Sequence, residues 1–120
     1  SLEELTLLHS RFPNSIRLFM VYNNKGIAIG GTIIYEMPRV VHSQYISASP
    51  EGKRLGAIDL LFDYVLNKVY ADRQGYFDFG KSTEEEGKIL NTTLIFQKEG
   101  FGGRGVCYDC YEWETDTIIE

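Results

Sequence analysis

The side chains best suited to moving a proton or facing a negative charge gather late in this chain. Asp78 sits inside the run Phe77-Asp78-Phe79-Gly80, and Lys98 stands just ahead of Gly100-Phe101-Gly102. Between them, Ser82 to Asn91 is polar and carries Glu84, Glu85 and Glu86, too hydrophilic a stretch for a core. Two apolar elements enclosing a polar loop, with a carboxylate near a strand's carboxyl end, is how an open α/β sheet builds a ligand crevice. Earlier in the chain, Lys53 and Arg54 form a local basic pair flanked by Gly52 and Gly56. His42 and Gln44 share a parity in a β-prone run.

Structural duties compete for the same residues. An Asp just ahead of a glycine commonly holds the following loop by accepting backbone N–H groups. A lysine in the last turn of a helix is favoured there by the macrodipole alone. Three consecutive glutamates make a solvated loop, and a strand histidine is more often a satisfied packing residue than a reactive one.

The elements that must position these groups follow in order. Ser1-Leu2-Glu3-Glu4 has the form of a capping box, and Leu2, Leu5, Leu8 and Phe12 continue at helical spacing to a stop before Pro13. Ile16–Tyr22 and Ile27–Glu36 read as strands joined through Asn23-Asn24-Lys25-Gly26, residues that tolerate positive φ. Gly30-Gly31 marks a bulge or a close backbone approach. After Met37-Pro38, Arg39–Ala48 alternates strictly, with Val40, His42, Gln44, Ile46 and Ala48 expected on one face.

Ser49-Pro50 is a helix-entry signal, and Gly52 and Gly56 let the helix start anywhere from Pro50 to Gly56. Its apolar stripe runs through Ile58, Leu61, Phe62, Val65 and Val69, and Tyr76–Phe79 is the next strand. Strand, buried helix, strand is a crossover, so Arg39–Ala48 and Tyr76–Phe79 should lie parallel. A helix over Lys88–Glu99 and a last strand over Gly105–Glu114 complete the expectation. The fold class is α/β with a mixed sheet: an antiparallel meander followed by a β-α-β crossover.

The chain of 120 residues has the length of one domain, here 1–120, and 43% hydrophobic content supports a real core. A net charge of −5 disfavours nucleic acid as a partner, because phosphate contacts need a basic face. No apolar run approaches the roughly 20 residues that span a bilayer. Cys107 and Cys110 fall on a stretch read as strand, where residues three apart point to opposite faces, and with His9 and His42 the only histidines no metal is expected. Reduced thiols indicate a cytoplasmic location. The lack of an initiator Met indicates an excised piece of something longer.

Phe77–Gly80, the polar loop and Lys98 ahead of Gly100-Phe101 together resemble the GNAT acyltransferase superfamily, and within it the carboxyl-terminal lobe of the FemAB-like two-lobed transferases. The resemblance runs from Ile16 onward. It implies a GNAT-like fold with splayed parallel strands, acyl-CoA as co-substrate, a small-molecule amine acceptor such as an amino sugar or cell-wall precursor, and either an N-terminal lobe or a homo-oligomer partner. It also implies a phosphate loop of the form Q/R-x-x-G-x-G/A, to which Lys53-Arg54-Leu55-Gly56-Ala57-Ile58 is the nearest match. Lys53 replaces Gln/Arg there, and Ile58 replaces the last small residue.

Under that resemblance, backbone amides near Ile46 to Ala48 or the Lys98 ammonium would face the carbonyl oxygen as it becomes negative. Asp78 or Glu84 would serve as base, with His42 a third choice. His42, Gln44, Asn91 and Gln97 would orient the acceptor. Many GNAT enzymes carry a tyrosine where this chain has Phe96, so either the proton for the leaving thiolate comes from elsewhere, such as Tyr45 or Tyr108, or the acyl donor is not a thioester. Two other functions stay open: a non-catalytic supporting or oligomerising lobe, and aminoacyl-tRNA-dependent transfer.

Overall fold

The computed structural model describes residues 1–115. Helix α1 (Leu2–Arg11) starts at the expected capping box: the Ser1 hydroxyl accepts from the Glu4 backbone N–H, and the Glu4 carboxylate accepts from the N-terminal ammonium. Strands β1 (Ile16–Tyr22), β2 (Ala28–Glu36) and β3 (Val40–Ala48) form an antiparallel meander. The first hairpin is held by Asn23, whose side-chain oxygen accepts from the N–H groups of Lys25 and Ile27. Strand β4 (Tyr76–Asp78) joins β3 in parallel, giving the order β1-β2-β3-β4. The expected mixed sheet and crossover are both present.

The connection between β3 and β4 covers one face of the sheet. It comprises α2 (Pro50–Leu55) and α3 (Ala57–Tyr64), with α3 continuing into a wide π turn over Val65–Val69. The sequence leaves the start of a single helix open between Pro50 and Gly56. The break falls at Gly56, whose φ of +72° is the left-handed conformation that glycine adopts without a Cβ penalty. Ile34 and Val41 on the sheet pack against Leu61 and Val65, with Phe19, Val21, Ile58, Tyr70 and Phe77 around them. Phe62 is fully buried and meets the rings of Phe77, Phe79 and Phe101 at centroid distances of 6.0, 5.4 and 4.9 Å. Such pairs add about 0.5–1.5 kcal/mol each beyond burial. The FDFG and GFG runs therefore meet through their phenylalanines, which bring β4 and the last helix onto α3.

Strict alternation along β3 is corrected by a bulge. Ile34 pairs with Ser43 and Ile33 with Tyr45, so Gln44 is an extra residue and the parity of the strand reverses there. Val41 and Ser43 face α3 on the near side of the bulge. Beyond it Ile46 and Ala48, paired with Thr32 and Gly30, take that face. The buried hydroxyls of Thr32 and Ser43 satisfy each other at 2.9 Å, and Thr32 also donates to the Tyr45 carbonyl.

Past β4 come a two-stranded ladder, β5 (Thr83–Glu84) and β6 (Ile89–Leu90), and helix α4 (Thr92–Gly100). The helix starts later than Lys88 because Ile89-Leu90 is spent on the ladder and Asn91 supplies the N-cap, accepting from the Leu94 N–H. The strand expected over Gly105–Glu114 does not form. A strand needs a neighbour for its backbone groups, and Val106, Tyr108, Tyr111 and Trp113 are all exposed. Without a strand there, opposite-face geometry does not govern Cys107 and Cys110, which are exposed free thiols. No helix among the described residues is long and apolar enough to cross a membrane.

Two consequences are measurable. A Cβ on Gly52 would lie 1.9 Å from the Ile29 carbonyl oxygen, so Gly52→Ala should cost about 3 kcal/mol or more, as overpacking against backbone does, read by urea unfolding. At the far end of the sheet the Tyr70 hydroxyl donates to Glu36, which also receives Arg17. Burial and then the Glu36 carboxylate push the Tyr70 phenol up to about 12. Because the folded state holds that proton more tightly than the unfolded chain, this stability is complete below about pH 10 and is lost as pH rises through about 12. Tyr70→Phe should cost about 1 kcal/mol at neutral pH and flatten the loss between pH 10 and 12.

Candidate functional site

Strands β3 and β4 pair over three rungs only, Val40 with Tyr76, Val41 with Phe77 and His42 with Asp78. Beyond the last rung β4 stops, while β3 runs on from Ser43 to Ala48 with no strand on that edge among the described residues. The chain leaves β4 because Asp78 turns it. Its Oδ1 accepts from the Gly80 N–H at 2.8 Å, and Gly80 takes a φ of +79°. The result is an unpaired edge along the outer half of β3.

The last rung carries a side-chain relay. His42 Nδ1 lies 2.8 Å from Asp78 Oδ2, and His42 Nε2 lies 2.9 Å from Gln44 Oε1. Burial by itself would raise the Asp78 pKa, but the Gly80 N–H, then His42 and Lys98, outweigh it and hold the carboxyl below its usual range. Sequence reading named His42, Gln44 and Asp78 in separate roles and did not join them. The available signal was that a crossover sets two parallel strands side by side, so residues ending their shared run can be partners.

Lys98 is buried, and its ammonium donates to the carbonyls of Gly80 and Lys81 at 3.1 and 2.7 Å. Burial lowers its pKa, with Asp78 partly offsetting the effect. The lysine thus reaches back from α4 to pin the loop that leaves β4. Glu84 is exposed on β5, where it accepts from the Asn91 side chain at 2.8 Å. Asn91 is engaged twice, as N-cap of α4 and as donor to Glu84. Gln97 lies elsewhere, lining a groove of about 510 Å³ between α3 and α4 with Asp59, Asp63, Phe96 and Phe101. Phe96 is exposed.

Lys53 and Arg54 are exposed on α2, Gly56 is the hinge into α3, and Ala57 is buried against Gly30 and Gly52. Among the described residues no side chain caps the amino end of α3. Ile46 and Ala48 occupy the unpaired end of β3, on the face that α3 covers. On the opposite face, Leu18, Met20, Gly31, Ile33, Tyr45 and Ser47 help line a mostly apolar groove of about 310 Å³. His42 and Asp78 belong to that same face, since Tyr35 pairs with His42 and has the parity of Ile33. Among the described residues, no three His, Cys, Asp or Glu side chains gather to hold a metal ion.

Replacing Lys98 tests its pinning role. Lys98→Met leaves two carbonyls without their donor and should cost about 1–3 kcal/mol. Hydrogen exchange should then quicken across residues 80–91 and α4, while the meander keeps its protection.

A family model described as an acetyltransferase (GNAT) domain matches residues 3–86, well over half of the chain. No curated protein matches it in sequence. Among solved structures, aminoglycoside N-acetyltransferase AAC(6')-Iy in complex with CoA superposes with a TM-score of 0.61 at 15% identity, covering 96% of this chain and 93% of that one. The same enzyme with a CoA-linked bisubstrate analogue gives 0.62 at 15% identity, over 86% and 71%. The 6'-N-acetyltransferase AAC(6')-Ih from Acinetobacter baumannii gives 0.60 at 15% identity, over 95% and 82%. At this identity the likeness is one of fold.

Proposed function

The chain belongs to the GNAT acetyltransferase family, and on that premise we propose that it transfers an acyl group from acyl-CoA to the amine of a small molecule. The observation that carries this reading is the parting of β3 and β4 after the His42–Asp78 rung, which leaves Ser43 to Ala48 unpaired along one edge. An extended acyl-pantetheine arm can lie along that edge, its amides replacing the missing strand and a backbone N–H near Ile46 to Ala48 meeting the thioester oxygen. A preorganised N–H aimed where charge develops costs no reorganisation during the reaction.

The pyrophosphate falls to the junction of α2 and α3. Gly56 opens the entrance of α3, no side chain among the described residues caps it, and Lys53 and Arg54 stand exposed one turn earlier. Unpaired amides and partial positive charge at that end suit an anion. Asp59, in the first turn of α3, opposes this in part. The acceptor enters from the other face of the sheet, over the groove of Leu18, Met20, Ile33 and Tyr45. His42 belongs to that same face, and Gln44 is hydrogen-bonded to its ring. The printed descriptions of the structural neighbours name aminoglycosides, and an amino sugar is the acceptor class we favour.

The FDFG run, the polar loop and Lys98 support the finer placement beside the carboxyl-terminal lobe of FemAB-like transferases. A supporting, non-catalytic lobe is the reading that Lys98 favours, since its donors go to carbonyls within the fold. The net charge of −5 works against the tRNA-dependent alternative. The exposed free thiols of Cys107 and Cys110 accord with a cytoplasmic location.

Calorimetry with CoA on the full chain tests the proposal. Binding should weaken roughly tenfold in the Lys53→Ala, Arg54→Ala double variant and should fall with added salt, as screened phosphate contacts do. Absence of heat from the unmodified protein would remove the acyl-CoA reading.

A further inference from the structure

We infer that His42 takes the proton from the attacking amine, with Asp78 as the positioning residue that fixes its ring and Gln44 as a movable cover over Nε2. The inference rests on the acyl-transfer reading above and assigns the base within that site.

The geometry selects among three candidates. Asp78 already accepts hydrogen bonds through both oxygens and is held below its ordinary pKa. A carboxylate so stabilised is a poor base. Glu84 is tied to Asn91 on the outlying ladder. His42 stands where the parallel strands part, and a carboxylate on Nδ1 selects the tautomer that carries its proton there. The lone pair then belongs to Nε2.

Among the described residues Nε2 meets only the Gln44 amide, which is neutral and belongs to the exposed bulge residue of β3. With the ring protonated, the amide oxygen accepts from Nε2. With the ring neutral, half a turn of the amide offers its NH2 instead, or the side chain swings out and an amine takes its place. Gln44 is exposed, so its side chain can turn without disturbing the packed face.

The titratable groups facing the ring are few. Asp78 approaches from β4, and the Tyr35 ring from β2 lies 6.5 Å away between centroids. Lys98, from α4, acts through Asp78, and its ammonium is occupied by the Gly80 and Lys81 carbonyls. Gly80 borders the ring without a side chain; a Cβ there would lie 3.6 Å from His42 Cε1.

The step balances as follows. The amine nitrogen attacks the carbonyl carbon of the acyl thioester, the C–N bond forms, and the N–H proton passes to His42 Nε2. The C–S bond breaks, the thiolate leaves with the bonding pair and takes a proton from solvent, and the imidazolium returns its proton to water. Amine and thioester become amide and thiol.

Two measurements on the full chain test this. The first is nitrogen-15 NMR of the histidine rings, with His42→Gln separating His42 from His9. The neutral His42 ring should carry its proton on Nδ1, and Asp78→Asn should shift it toward the other tautomer. A ring protonated mainly on Nε2, or one indifferent to Asp78→Asn, overturns the assignment.

The second is thiol release from acetyl-CoA across a panel of primary amines that includes neamine. His42→Gln should lower kcat about a hundredfold or more, the usual share of a general base, leave KM for acetyl-CoA nearly unchanged, and erase the fall in rate on the acid side of the pH profile. Retention of that acid limb in His42→Gln, with CoA binding intact, overturns the base role alone. Failure of the unmodified chain to bind CoA overturns the acyl-transfer reading itself, a separate and recognisable result.

Discussion

Asp78 is the joint on which the described architecture turns. One carboxylate oxygen takes the Gly80 N–H and bends the chain away from β3; the other takes His42 across the last rung. The same group therefore ends the strand pairing and orients the ring beside the opening that results. Its charge is balanced from below by Lys98, which spends its own donors on the carbonyls of that bend. The bend lies over the aromatic cluster of Phe62, Phe77, Phe79 and Phe101. Apolar packing places the corner, and a few polar contacts shape it.

The two faces of the sheet divide the work. The covered face carries Ile34, Val41 and the helix that follows β3, so its demands are those of any core. The open face carries His42, Asp78 and a groove whose walls include exposed Leu18, Met20 and Tyr45. In the proposed reaction the acyl donor lies along the strand edge between these faces and the acceptor approaches from the open one. Neither reactant has to penetrate the packed side.

Much of this was legible in the residues. The capping box at Ser1, the Asn23 hairpin and the crossover each rest on local chemistry that tertiary packing did not override, and each formed. The FDFG strand and the Gly-Phe pair were read as site markers, and their phenylalanines prove to join three elements in the core. What escaped reading was of longer range. Nothing local in Arg39–Ala48 announces a bulge at Gln44, since it arises from pairing with β2. The partnership of His42 with Asp78 spans 36 positions and depends on register. The strand expected over Gly105–Glu114 failed because alternation describes a strand's faces and says nothing of whether a neighbouring edge is there to receive it.

The extra residue in β3 makes that segment two strands in one. Up to Ser43 its odd positions face the helix side of the sheet, and past Gln44 its even positions do. Were Gln44 instead to take an ordinary rung of the ladder, Tyr45 and Ser47 would turn inward and Ile46 and Ala48 outward, exchanging the linings of the packed side and the open groove. Deleting Gln44 would remove the bulge and leave every later side chain on its present face.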